Sequence, residues 1–287
     1  FVGPPFTFSI RQVGSNCGCI GQHAIKYVNG IVYWMGESGG FFVYDGTVKS
    51  LPCAVEDFVF TTKNGNNLGI NYSAGESVYV GLNHLYEEIC WYYPQSTSSF
   101  NDRYVCYNYQ DGTWVTGSLS RTTWVDANLF ENPYATEFTS TGVGTFPTVQ
   151  GVTNINGSTK YFEHEKGVNE VDTAGNKTAI PAFIESGDFS LNPEGTNGEF
   201  FMSMRRFVPD FKTIEGNAQV TILLRDFPSD TEVSSPLGPF TVTGSTQKVD
   251  TRARARFASL KIANTSTDQN WRFGTFRADV QLDGMRG

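Results

Sequence analysis

The residues best placed to do chemistry are few and scattered along the chain. His164 stands between Glu163 and Glu165, with Asp172 close behind. Neighbouring carboxylates raise the pKa of an imidazole and can tune it as a general acid or base. On a strand, however, Glu163 and Glu165 share one face while His164 points to the other, so the spacing favours a solvated hairpin. Asp45, Asp111 and Asp172 recur near turns, and a ring of carboxylates would suit glycosidic chemistry. Asp-Gly at 45–46 and 111–112 is also the ordinary signal of a tight turn, because Gly accepts positive φ and Asp bonds locally. Cys17, Cys19 and His23 offer three metal-type ligands, but structural zinc takes four with paired spacing, so a turn with buried thiols is the expectation. Arg252, Arg254 and Arg256 alternate with Thr251, Ala253 and Ala255, which on a strand aims all three guanidinium groups the same way. Such a stripe suits a subunit interface or a nucleic-acid backbone, with carboxylate pairing favoured; Arg272 and Arg277 read as partners for Asp279 and Asp283. The chain carries no phosphate loop or nucleophile elbow, so neither an enzyme nor a bound cofactor or metal is expected.

The elements that must position these side chains follow a long, nearly regular repeat. A short β-rich run, a polar break and an aromatic run closed by a Gly turn occur as Ile31–Trp34 with Phe41–Gly46, and again as Ile89–Tyr93 with Tyr104–Gly112. A weaker copy runs Lys160–His164, then Asn169–Gly175, so the turn glycines Gly46, Gly112 and Gly175 are almost evenly spaced. One such hairpin cannot bury its own apolar face, so the repeat predicts small sheets stacked as propeller-like blades over residues 1–187. Trp34, Trp91 and Phe162 should then occupy equivalent positions. Three copies are too few to close a typical ring, and the start at Phe1 suggests a fragment or processed product with blades upstream.

Composition agrees with an all-β class. Aromatic residues make up 14% of the 287 residues and suit pleated, half-buried surfaces, while 30 glycines supply turns. No long apolar 3.6-residue period is present, and no apolar run approaches the roughly 18 to 20 residues of a membrane span. The net charge of −8 is uneven: residues 1–187 hold 9 Lys+Arg against 17 Asp+Glu, leaving 12 against 12 in residues 188–287. The acidic part disfavours generic nucleic-acid binding. Five cysteines are an odd count; Cys90 and Cys106 lie on facing strands of one hairpin, but buried free thiols in a reducing compartment are the favoured reading.

Strands are expected at Phe58–Phe60 and Ser77–Leu82, a polar loop at 61–76, a further polar stretch at Glu131–Gly144 ahead of the third copy, and a boundary at 187/188 where the repeat stops. Downstream, Gln219–Asp226, ending at Phe227-Pro228, Phe257–Ala263 and Trp271–Val280 read as strands of a separate β-sandwich or jelly roll over 188–287.

Several strings resemble a family of virion structural proteins of short-tailed bacteriophages. They are Tyr33-Trp34-Met35-Gly36, Phe42–Gly46, Leu51-Pro52-Cys53, Asn101–Val105, Tyr107-Asn108-Tyr109 and Trp114, then Val208–Phe211, Arg252–Arg256 and Trp271–Gly274 with Arg277 and Asp279. The resemblance spans most of residues 30–287 and is most specific in its C-terminal strings. It implies a propeller-containing hub or nozzle of the tail, below portal and adaptor, forming a homo-oligomer, typically a hexameric ring, around packaged DNA. Arg252, Arg254 and Arg256 become candidate subunit or channel contacts, adaptor or fibre proteins the neighbours, and the virion tail, assembled in the host cytoplasm, the location. The rival reading is a glycan-binding or glycan-degrading propeller of a tail fibre, whose exposed Trp and Tyr would stack on sugar rings.

Overall fold

In the computed structural model the described residues are all except 1–2, 6–7, 9, 62–68, 128–129, 144–154, 192–199, 228–235 and 286–287. They are all-β, built from small antiparallel sheets. The chain divides into compact units at Lys166/Gly167, well ahead of the expected boundary at 187/188. The reason is strand pairing: β12 (Asn169–Val171) and β13 (Lys177–Ala179) form their own hairpin, and β14 (Ala182–Glu185) pairs with β20 (Phe257–Asn264).

Among the described residues, the first unit contains three meander sheets. β1 (Ile25–Val28), β2 (Ile31–Met35), β3 (Phe41–Tyr44) and β4 (Val48–Leu51) pair in chain order, as do β5 (Tyr79–Asn83), β6 (Glu88–Tyr93), β7 (Arg103–Asn108) and β8 (Trp114–Ser118). The third sheet runs β9 (Thr123–Val125), β10 (Tyr134–Val143) and β11 (Ile155–Glu163), with β10 central. Alternation along β6 gives each face a separate task. Ile89, Trp91 and Tyr93 join Tyr33, Met35 and Phe41 in one apolar cluster, while Cys90 and Tyr92 join Trp124 and Ala135 in another. The middle sheet is thus buried on both sides.

Trp34 and Trp91 are both fourth in the second strand of their sheets. The Trp34 indole donates to the Cys17 carbonyl at 2.8 Å, and the fully buried Trp91 indole to the Ala24 carbonyl at 2.9 Å. Phe162 is not their counterpart, since it lies on the third strand of its sheet. The expected third hairpin fails because Lys160–Glu163 pair with β10 rather than with Asn169–Val171. The polar stretch after Glu131 holds β10, with Gly144 outside the described residues. Phe58–Phe60 end a short helix, α1 (Glu56–Phe60), where Val59 alone is buried. Of the expected loop at 61–76, residues 62–68 lie outside the described set, and Tyr72–Ser77 form a 3-10 segment whose N-cap Asn71 accepts from the Ser73 amide.

In the second unit, β14, β20, β17 (Ala218–Arg225) and β18 (Leu237–Val242) form one sheet; β19 (Val249–Ala255), β15 (Phe200–Val208) and β22 (Arg277–Met285) form another. Met202, Met204 and Phe207 share a core with Val220, Ile222, Leu260 and Ile262. β17 ends at Arg225, close to the expected end, with Pro228 outside the described residues. Trp271–Val280 is two strands, not one: β21 (Asn270–Phe273) pairs with β16 (Phe211–Glu215), and β22 belongs to the sheet of β15.

Candidate functional site

Two polar assemblies stand out, one in each unit. The first lies between the middle and third sheets of the first unit. Register places Cys90 opposite Cys106, and the two form a disulfide, 4.0 Å between Cα atoms. This corrects the favoured reading of Cys90 and Cys106 as free thiols: cross-strand register brings the pair within bonding reach despite the odd count. Cys17, Cys19 and Cys53 are free. Beside the disulfide, Trp124 stacks on Tyr92 at 5.6 Å, seated over Gly81, where a Cβ would lie 2.6 Å from the indole Cγ. Absence of a side chain at 81 is what admits the indole.

Arg121, 6% exposed, enters this layer. Its Nε donates to His164 Nε2 at 2.8 Å, Nη1 donates to the Ser120 carbonyl and lies 3.5 Å from Glu137, and the guanidinium covers Phe162 at 4.1 Å. A buried guanidinium needs its donors met. His164 supplies an acceptor, so its proton sits on Nδ1. Burial, aided by the Arg121 charge, pushes its pKa down to about 4. His164 is therefore not the solvated residue expected; its ring also packs at 4.7 Å from Trp124. An imidazole so depressed is a neutral hydrogen-bond acceptor rather than a base poised near pH 7.

Two carboxylates complete the layer. Burial raises the pKa of Glu88 and of Glu165, and the Glu165 charge adds to the shift of Glu88. Asn83 donates to Glu165 at 2.9 Å, a bond that favours the charged form. Among the described residues, the group of three potential metal-ligand atoms within 4.8 Å is Glu88, Cys90 and Cys106. The disulfide leaves it no thiolate to offer.

The sequence candidates are placed elsewhere or otherwise engaged. Asp45 bonds Lys49 at 2.7 Å and Thr47 beside Gly46 at φ +115°, and the bond from Lys49 is the main cause of its lowered pKa. Asp111 sits in a turn where its amide and that of Gly112 bond Asn108. Asp172 accepts from the amides of Ala174 and Asn176 in the second unit. The carboxylates of Asp45 and Asp172 hold their turns, whereas at Asp111 the turn is held by Asn108. His23 stacks on Tyr79 at 5.0 Å, and the Cys19 thiol donates to the Gly21 carbonyl.

The second assembly is the outer face of β19. The alternation reads as expected: Thr251, Ala253 and Ala255 are buried while Arg252 and Arg254 are exposed. Arg254 pairs with Asp283 at 2.6 Å and covers Phe201, whose ring Arg256 also approaches at 5.0 Å. The expected partners for Arg272 and Arg277 are corrected: Asp283 takes Arg254, Asp279 takes Arg206 at 3.4 Å, and Arg277 takes Asp210 at 3.1 Å. Sequence reading missed Arg121, Glu88 and Arg205. The first two meet partners far along the chain and carry no local signal, and Arg205 becomes a neighbour of Arg252 only through the pairing of β15 with β19.

Compared with known proteins, the chain matches no family model and no curated protein. Two solved structures of an exo-β-1,3-galactanase from Phanerochaete chrysosporium with β-1,3-galactotriose align with 88% of this chain at 8% identity. This chain covers 64% of each, with TM-scores of 0.23 and 0.22, a likeness too low to carry an argument.

Proposed function

We propose that this chain is a non-enzymatic structural component of a short-tailed bacteriophage tail, a hub or nozzle subunit that helps wall the DNA channel. The observation that carries this reading is where the resembling strings fall. Val208–Phe211 and Trp271–Gly274, distant in the sequence, meet: Phe211 pairs with Phe273, and the Gly274 amide donates to the Asp210 carbonyl at 2.7 Å. A Cβ at Gly274 would stand 2.7 Å from that oxygen, so the string needs its glycine. In the first unit, the Trp114 indole donates to the Pro52 carbonyl at 2.9 Å and packs on Phe41. Strings distant in the sequence thus meet in the fold, which supports the reading.

In this reading stacked sheets provide rigidity, homo-oligomerisation, as a hexameric ring, closes the wall, and the acidic first part lets DNA pass without adhering. Adaptor or fibre proteins are its neighbours. Assembly takes place in the host cytoplasm, with Cys90 and Cys106 oxidising in the released virion, a setting that tolerates disulfides. Imaging of the intact particle with this chain tagged tests the reading. A chain absent from the tail refutes it, as does normal assembly of a variant with Arg252, Arg254 and Arg256 all changed to Gln that ejects DNA normally.

A glycan-binding role on a tail fibre is the second reading. It is favoured by Tyr134 and Tyr161, stacked at 5.3 Å with the Tyr161 side well exposed, a surface of the kind that holds sugar rings. Cleavage of bacterial surface polysaccharide by the purified chain, lost in Glu88→Gln or Glu165→Gln, would replace the structural reading.

A further inference from the structure

A groove of about 520 Å³ opens on the second unit between β15 and β19, lined by Ser203, Arg205, Asp250, Arg252 and Arg254. Its cations differ in what answers them. Arg254 is neutralised by Asp283 at 2.6 Å and stacked on Phe201. Asp250, the groove's carboxylate, lies 3.4 Å from both Arg206 and Lys248. Arg205 and Arg252 are exposed, and among the described residues neither has a carboxylate within ion-pair distance. They also stand near one another: Met204 pairs with Ala253 and Arg206 with Asp250, so the slip leaves Arg205 opposite Thr251 and Arg252. Thr251 turns inward to bond the Met204 carbonyl at 3.0 Å, which leaves Arg252 on the outer face with Arg205.

We propose that this groove is a phosphate-binding site, with Arg205 and Arg252 as its principal ligands and the Ser203 hydroxyl as a further donor. Two adjacent guanidinium groups without counter-ions repel each other and each present a planar fork of donors that matches tetrahedral oxyanions. The charge left after Arg254 and Asp250 find their partners is two positive, which a hydrogen phosphate dianion balances. The groove also falls within the volume range of small-molecule sites. Free phosphate and the phosphate of a phosphodiester present the same kind of oxygens to it. The inference does not rest on the tail reading.

The test is titration of the full chain with inorganic phosphate against sodium chloride at matched ionic strength, followed by NMR of the arginine Nε–H signals. Expected is saturable binding in which Arg205→Gln or Arg252→Gln weakens affinity at least tenfold and Arg272→Gln, on the exposed side of β21, does not. In phosphate-free buffer both groove variants should be as stable as the parent or more so, because a like-charge contact is relieved. A short single-stranded oligonucleotide provides the second arm. Binding weaker than phosphate assigns the site to the free anion; tighter binding, with log K falling against log salt at a slope of about −1.4 for two contacts, assigns it to a phosphodiester. Phosphate binding unchanged in the Arg205→Gln, Arg252→Gln double variant, or no saturable binding in the parent, overturns the proposal.

Discussion

Acidification should weaken the first unit through His164, and the structure sets both sign and size. The folded pKa of about 4 lies below the ordinary 6.5, so folding favours the neutral ring. The stability this provides is complete above pH 6.5 and is lost as pH falls through the folded value, because only the unfolded chain takes up the proton in between. At about 1.4 kcal/mol per pH unit the loss across that window amounts to roughly 3 kcal/mol. Glu88 and Glu165 act oppositely: their raised pKa values mean stability gained as pH falls, which offsets part of the histidine loss near the acid end. The comparison that isolates His164 is therefore parent against His164→Gln, whose amide oxygen accepts from Arg121 but does not titrate. Urea unfolding at half-unit steps from pH 7.5 to 4 should show the parent losing stability faster than the variant between pH 6.5 and 4.5. Parallel curves would refute the reasoning, since they would mean that His164 is solvated or protonated in the folded state.

Trp91→Ala should cost about 3 to 5 kcal/mol in denaturant unfolding, because the side chain is fully buried and its indole bonds the Ala24 carbonyl; a loss under about 1 kcal/mol would contradict that burial. Gly81→Ala should destabilise by about 1 to 3 kcal/mol and shift Trp124 fluorescence, since the added methyl meets the indole. Alkylation of the unfolded, air-exposed chain should label three cysteines before reduction and five after, read by mass spectrometry. Asp45→Asn should change stability only slightly, since Asn supports the same turn.

Legibility followed the range of the interactions. The meander hairpins were readable because short apolar and aromatic runs are local signals, as are the Asp-Gly turns that join β3 to β4 and β7 to β8, and the β19 arginine face because its period of two needs no partner. Phe58–Phe60 misled because three apolar residues fit a helix end as well as a strand, with only Val59 buried. The division after Lys166 was hidden because β14 is assigned by its pairing with β20, far downstream in the chain. His164 was misread for the same reason: its flanking glutamates were visible, but Arg121, which decides its protonation, arrives from another segment.

The order of strand pairing bears on how the chain folds as it leaves the ribosome. In the first unit each sheet is made from consecutive strands, so loop closure is short and a sheet can form once its own segment has emerged. Apart from the β12–β13 hairpin, the second unit has no such option. β14 needs β20, and β15 lies between β19 and β22, which is not complete until Met285. Its strands therefore emerge with unsatisfied edges and exposed Met202, Met204 and Phe207, surfaces prone to wrong pairing with neighbouring nascent chains. A ribosome stalled before Arg277 should carry a protease-resistant first unit and a sensitive second one, and loss of β22 should abolish soluble expression of the second unit while sparing the first.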